Sequence, residues 1–105
     1  MEFIEASFFT KYVYSYLTDE EYLGLQSYLA QFPESGKVVP GSGGVRKLRW
    51  AMTGTGKRGG LRVIYYFKKH DDEIWLLTIY SKNETENIPA HILRKIAEEI
   101  QNDQT

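Results

Sequence analysis

The stretch from Gly36 to Lys69 carries nine basic residues, Lys37, Arg46, Lys47, Arg49, Lys57, Arg58, Arg62, Lys68 and Lys69, and not one Asp or Glu. All fourteen acids of the chain lie outside it. Cations held together without counter-ions repel one another, so a segment of this kind points to an external polyanion. Phosphate is the group that Lys and Arg bind most readily. Eight of the nine glycines fall in the stretch from Gly36 to Gly60, and backbone N–H groups without a neighbouring Cβ can approach phosphates closely. The alternative is a solvated basic face. The complete exclusion of acids over so long a stretch favours polyanion binding instead. The formal net charge of −1 conceals this asymmetry.

Other constellations fall away on inspection. Gly54-Thr55-Gly56-Lys57-Arg58-Gly59 matches the dinucleotide fingerprint as a string, but that motif needs a helix after it, and here an extended segment follows. It is not a phosphate-binding Walker loop either, since Ala51 stands where the first glycine belongs and Arg58 where Ser or Thr would hold magnesium. His70 and His91, the only histidines, are not spaced as metal ligands, and His70-Asp71-Asp72-Glu73 reads as a solvated turn. No spacing supports a Ser/His/Asp triad or a paired-carboxylate site. The chain has no cysteine, which removes disulfides, thiolate metal sites and cysteine nucleophiles. No cofactor is expected.

The elements that must position these cations are legible from periodicity. Glu2 to Ala6 suits a short strand. Phe8, Phe9, Tyr12, Val13, Tyr16 and Leu17 recur at helical spacing. Thr18-Asp19-Glu20-Glu21 predicts a capping box that opens a second helix burying Tyr22, Leu25, Leu29 and Phe32 and stopping near Pro33 to Gly36. Three strands follow, about Val45–Met52, Leu61–Phe67 and Ile74–Tyr80, joined by short connections as an antiparallel meander. The last is apolar on both faces, which predicts a central strand covered by helix. A helix beginning near Asn87 or Pro89 carries Ile88, Ile92, Ile96 and Ile100, with Leu93 and Ala97 beside them, toward the sheet. In the first long strand Arg46, Leu48, Trp50 and Met52 point one way, and Lys47, Arg49 and Ala51 the other. The expectation is an α+β fold with a short N-terminal strand, a helical hairpin, an antiparallel β-meander and a C-terminal helix.

With 105 residues, 42% apolar and 26% charged, the chain suits one packed domain over 1–105 rather than a disordered or fibrous protein. Its opening residues lack the basic and apolar regions of a secretory signal, and no apolar run reaches membrane-span length. The expectation is a cytoplasmic protein with no membrane partner.

The element order, together with Val45-Arg46-Lys47-Leu48-Arg49-Trp50, Gly60-Leu61-Arg62-Val63-Ile64-Tyr65-Tyr66 and Ile79-Tyr80-Ser81-Lys82-Asn83-Glu84, resembles the RelE/HigB toxins of bacterial type II toxin-antitoxin systems. The Gly-Thr-Gly-Lys-Arg-Gly-Gly loop is most similar to the HigB-like subgroup. The resemblance covers essentially the whole chain. It implies a RelE/ParE-like fold and a metal-independent ribonuclease that inhibits translation by cutting mRNA in the ribosomal A site. It also implies a cognate antitoxin that holds the toxin inactive. Lys47 and Arg49 stand where the family has an alternating basic pair, Arg62 where it has a strand arginine after glycine, and Lys82 where a lysine follows the last strand. Asn83 departs from the arginine of the best-known members, and their C-terminal tyrosine has no clear counterpart. A non-catalytic RNA- or antitoxin-binding module of the same fold is the alternative.

RNA carries its own nucleophile, the 2′-hydroxyl, so such a protein needs positioning and charge stabilisation more than a nucleophile of its own. Arg62 can clamp phosphate oxygens bidentately, while Lys47 and Arg49 would stabilise the transition-state charge, and the resemblance adds Lys82 as a further catalytic candidate. Lys57, beside the like charge of Arg58, is the candidate for acid or base work. Arg46, Arg58 and Lys68 are expected to hold RNA phosphates. Tyr65, Tyr66 and Tyr80 are candidates for base stacking, with core packing as the alternative for each.

Overall fold

The structure is a computed structural model that describes residues 1–51, 60–82 and 88–102. It contains β1 (Glu2–Glu5), α1 (Ser7–Tyr16), α2 (Asp19–Gln31), β2 (Lys37–Val38), β3 (Arg46–Trp50), β4 (Leu61–Lys68), a short 3-10 turn (Lys69–Asp71), β5 (Glu73–Ser81) and α3 (Ala90–Gln101). The capping box forms as predicted. The Glu21 N–H donates to Thr18 Oγ1 at 3.1 Å, and the Thr18 N–H donates to Glu21 Oε1 at 2.8 Å. Three acids in the first turn of α2 face its positive end.

The strands form one mixed five-stranded sheet in the order β1-β5-β4-β3-β2. β3, β4 and β5 are the expected meander. Two features extend that expectation: β1 pairs in parallel with β5, and the two-residue β2 adds an antiparallel edge to β3. β5 is an interior strand, as its two apolar faces require. α1 and α2 cover one face, burying Phe9, Val13, Leu17, Tyr22, Leu25 and Leu29 against Leu48, Leu61, Val63, Tyr65, Ile74, Leu76 and Ile79. α3 covers part of the other through Leu93, Ala97 and Ile100, packed on Val45, Ile64, Leu77 and Tyr80. Two expectations about helix faces are corrected. Phe32 is 53% exposed because the helix ends before it, and its ring lies tilted against Tyr28 at 5.3 Å. Ile92 is 40% exposed because the buried stripe of α3 runs through Leu93, Ala97 and Ile100 instead.

β5 contains a bulge. Ile64 registers with Thr78 and the next residue, Tyr65, with Leu76, so Leu77 is an extra residue with no partner. Before the bulge, Ile74 and Leu76 face α1 and α2; after it, Ile79 does. Leu77 and Tyr80 face the α3 side. The bulge therefore reverses which parity of β5 faces which layer, and it turns Tyr80 toward the side that holds Arg62. The glycine loop before β3 has a packing role: Gly43 has a positive φ of 77°, and a Cβ there would lie 3.4 Å from Arg94 Cγ and 3.6 Å from Ala97 Cβ. That loop tucks beneath α3. No helix among the described residues is long and apolar enough to cross a membrane.

Candidate active site

α3 leaves one end of its sheet face uncovered, and the cations collect there. Arg49 registers directly opposite Arg62, and Arg62 directly opposite Tyr80, forming one row across β3, β4 and β5. Lys47 and Lys37 are paired in the same way across β3 and β2. Lys82 follows β5 immediately, where its N–H donates to the Gly60 carbonyl at 3.0 Å. Together with Ser35 and Leu48 these residues line a cleft of about 530 Å³. Five of its lining side chains are cationic and, among the described residues, none is a carboxylate. Like charges placed directly opposite on neighbouring strands destabilise a sheet. The Arg49–Arg62 and Lys37–Lys47 pairs carry that cost in the fold, as sites that bind an anion commonly do.

Tyr80 forms one wall of the cleft. Only 6% of it is exposed, so the ring has little free face for stacking on a base. Its hydroxyl is the group it can offer. Burial pushes the phenol above its ordinary value and the nearby Arg62 charge opposes this, with burial the larger effect. The group therefore remains a neutral hydrogen-bond donor at neutral pH.

Of the site residues expected from sequence, the cleft brings together Lys47, Arg49, Arg62, Lys82 and Tyr80. It does not bring in Arg46 or Lys68. The Arg46 guanidinium donates to the Glu34 and Gly36 carbonyls at 3.0 and 2.8 Å and lies 3.5 Å from the Glu34 carboxylate. It thereby anchors the turn before β2, on the face opposite Lys47. Lys68 sits at the far end of β4 from Arg62, roughly 20 Å away at about 3.3 Å per residue, and pairs with Asp71 at 3.0 Å. Lys57 and Arg58 lie outside the described residues.

Tyr65 is fully buried. It donates to the Pro33 carbonyl and accepts from the Gly36 N–H, each at 2.9 Å. The Tyr66 hydroxyl accepts from Gln101 Nε2 at 2.7 Å. Both tyrosines therefore tie the layers together. Lys37 and Ser35 are cleft residues that sequence pattern did not single out. The signal for Lys37 was its place in the acid-free window, but a two-residue strand has no periodicity to reveal which residue it faces.

No group of three or more His, Asp or Glu among the described residues is arranged to hold a metal ion. The cleft lining offers guanidinium, ammonium and phenol donors that can grip phosphate oxygens. Residues 34–104 match the family model described as the RelE toxin of the RelE/RelB toxin-antitoxin system, a span that runs from β2 through α3 and includes the whole cleft. The chain belongs to this family of toxins.

Proposed function

We propose that this toxin is an endoribonuclease that cuts mRNA in the ribosomal A site without a catalytic metal, and that a cognate antitoxin covers the cleft. Toxins of the family are generally endoribonucleases. The observation that carries the reading is the Arg49–Arg62–Tyr80 row, flanked by Lys37, Lys47 and Lys82 in a cleft that no carboxylate lines among the described residues. In-line attack by the 2′-oxygen on the adjacent phosphorus breaks the bond to the 5′-oxygen. The 2′-hydroxyl loses its proton, the 5′-oxygen gains one, and a 2′,3′-cyclic phosphate remains upstream. Negative charge grows on the non-bridging oxygens during this step, where Arg62 and the flanking lysines of the cleft can meet it. Tyr80 supplies a neutral donor at the same wall.

End mapping tests this. On translating ribosomes, upstream fragments should end in 2′,3′-cyclic phosphate or 3′-phosphate, because RNA supplied the nucleophile. A water-activating metal nuclease commonly leaves 3′-hydroxyl, and such ends would overturn the mechanism. Arg62→Ala should lower the single-turnover rate by roughly 10² to 10³, since loss of one transition-state donor costs about 3 to 4 kcal/mol. The variant should remain folded. Cleavage at the wild-type rate would remove Arg62 from the chemistry.

A further inference from the structure

The strand that carries Lys37 to the cleft is the least self-sufficient element of the sheet. β2 has two residues, it forms an edge, and its register sets Lys37 directly opposite Lys47. Two ladder pairs, one of them like-charged, do not hold a strand in place unaided. One further bond follows them, from the Val39 N–H to the Val45 carbonyl at 2.8 Å. The turn before β2 is gripped from the opposite face of the sheet. There the Tyr65 hydroxyl donates to the Pro33 carbonyl and accepts from the Gly36 N–H. Arg46, in register with Tyr65 on the neighbouring strand, donates to the Glu34 and Gly36 carbonyls. The turn is also pressed against these strands. A Cβ at Gly36 would lie 2.9 Å from Tyr65 Cε1, 3.0 Å from the Tyr65 oxygen and 3.2 Å from the Lys47 carbonyl carbon, the first of these shorter than van der Waals contact allows.

Tyr65 is fully buried and does not line the cleft, but Ser35 and Lys37, which do, stand on either side of the Gly36 that it holds. We infer that Tyr65 is a positioning residue of the cleft: its hydroxyl fixes the turn that sets Lys37, across the edge of the sheet, where the ammonium can meet an RNA phosphate. Burial raises the phenol above its ordinary value, against the opposing effects of the Gly36 N–H, the Ser35 side chain and the Arg46 charge, so the donor to Pro33 persists across the neutral range. The inference rests on the nuclease reading for the ligand being RNA. It adds that a neutral group on the helix-covered face governs how many phosphates the other face neutralises.

The experiment measures binding of a short RNA, made uncleavable by 2′-O-methyl groups, by fluorescence anisotropy over a series of salt concentrations. Lys37→Ala should flatten the logarithmic salt slope by about 0.7, the share of one phosphate on a single strand. Tyr65→Phe should flatten it by a similar amount although it removes no charge, and the double variant should go no further. A tyrosine that served stability alone would lower the unfolding temperature and leave the slope of the folded protein as it was. Lys82→Ala should keep its full effect in the Tyr65→Phe background, because Lys82 is held by the Gly60 carbonyl and not by the turn. Gly36→Ala displaces the turn with the hydroxyl left in place and should give the same flattened slope; it stands in if Tyr65→Phe does not fold. Arg46 grips the same turn, but replacing it removes a cation and would confuse the slope. The inference is overturned if the folded Tyr65 and Gly36 variants keep the wild-type slope, if the effects of Lys37→Ala and Tyr65→Phe add, if Lys37→Ala leaves the slope unchanged, or if the RNA does not bind. The same proteins are assayed for cleavage on programmed ribosomes. Slopes that behave as expected in a toxin that cuts nothing there keep the positioning role and remove the nuclease reading. Cleavage that leaves 2′,3′-cyclic phosphate, with slopes that ignore Tyr65, does the reverse.

Discussion

Tyr80 stands where the wall of the cleft meets the core. Its ring belongs to the core beneath α3, and its neighbour across the strand is Arg62. Tyr80→Phe keeps the ring and removes only the donor, so the variant's stability should stay within about 1 kcal/mol of wild type. Its single-turnover rate should fall by roughly 10- to 100-fold, the worth of one hydrogen bond of about 1.5 to 3 kcal/mol to a charged group. Because burial holds the phenol above its ordinary value, the hydroxyl of the RNA-free toxin is protonated across the neutral range. The pH-rate profiles of Tyr80→Phe and wild type should therefore run parallel across the neutral range. A profile that changes shape there would mean that Tyr80 ionises during turnover. The sequence showed the charges of this site plainly, since charge is a property of residue type. It did not separate Arg46 from Lys47. That distinction depends on the Glu34 and Gly36 carbonyls, which are brought to Arg46 by a turn ten residues away.

Elements divided in the same way between local and non-local signals. The Thr18 capping box was legible because its whole mechanism lies within four residues. Thr18→Ala should cost about 1 kcal/mol, visible as a lower urea midpoint, and leave cleavage by the folded protein unchanged. The helix α3 and the three meander strands were legible from their periodicity. β2 was too short to show any, and the parallel pairing of β1 with β5 depends on a partner some seventy residues distant. The bulge at Leu77 was hidden as well, because a bulge exists only relative to the strand beside it. It makes a sharp prediction. Deleting Leu77 leaves Leu76 opposite Tyr65 and Thr78 opposite Ile64 in simple alternation, so Ile79 stays toward α1 and α2 and Tyr80 toward the cleft. Cleavage should therefore persist, while loss of the Leu77 side chain from the core beneath α3 should move thermal unfolding down. Loss of cleavage in a deletion variant that stays folded would show that the cleft needs the local bend of the bulge.

At the scale of the molecule, the fold sorts charge by layer: helices α1 and α2 take the core side of the sheet, and five cations share the open end of the other. RNA affinity should accordingly fall steeply with salt. The logarithmic slope should fall by about 0.7 for each phosphate no longer neutralised, so replacing Lys37 and Lys82 together should flatten it by up to about 1.4. An unchanged slope would place RNA elsewhere. The parallel pairing of β1 with β5 bears on how the toxin comes into being. Met1, whose amino group lies 3.0 Å from the Asp72 carboxylate, and Glu2, whose N–H reaches the Asp72 carbonyl, have no partners until the chain has been synthesised past residue 72. Tyr80 and Lys82 come later still. A nascent chain therefore lacks both its closing strand and two walls of its cleft for most of its time on the ribosome, and products released early by incomplete translation carry the basic window without a site able to use it.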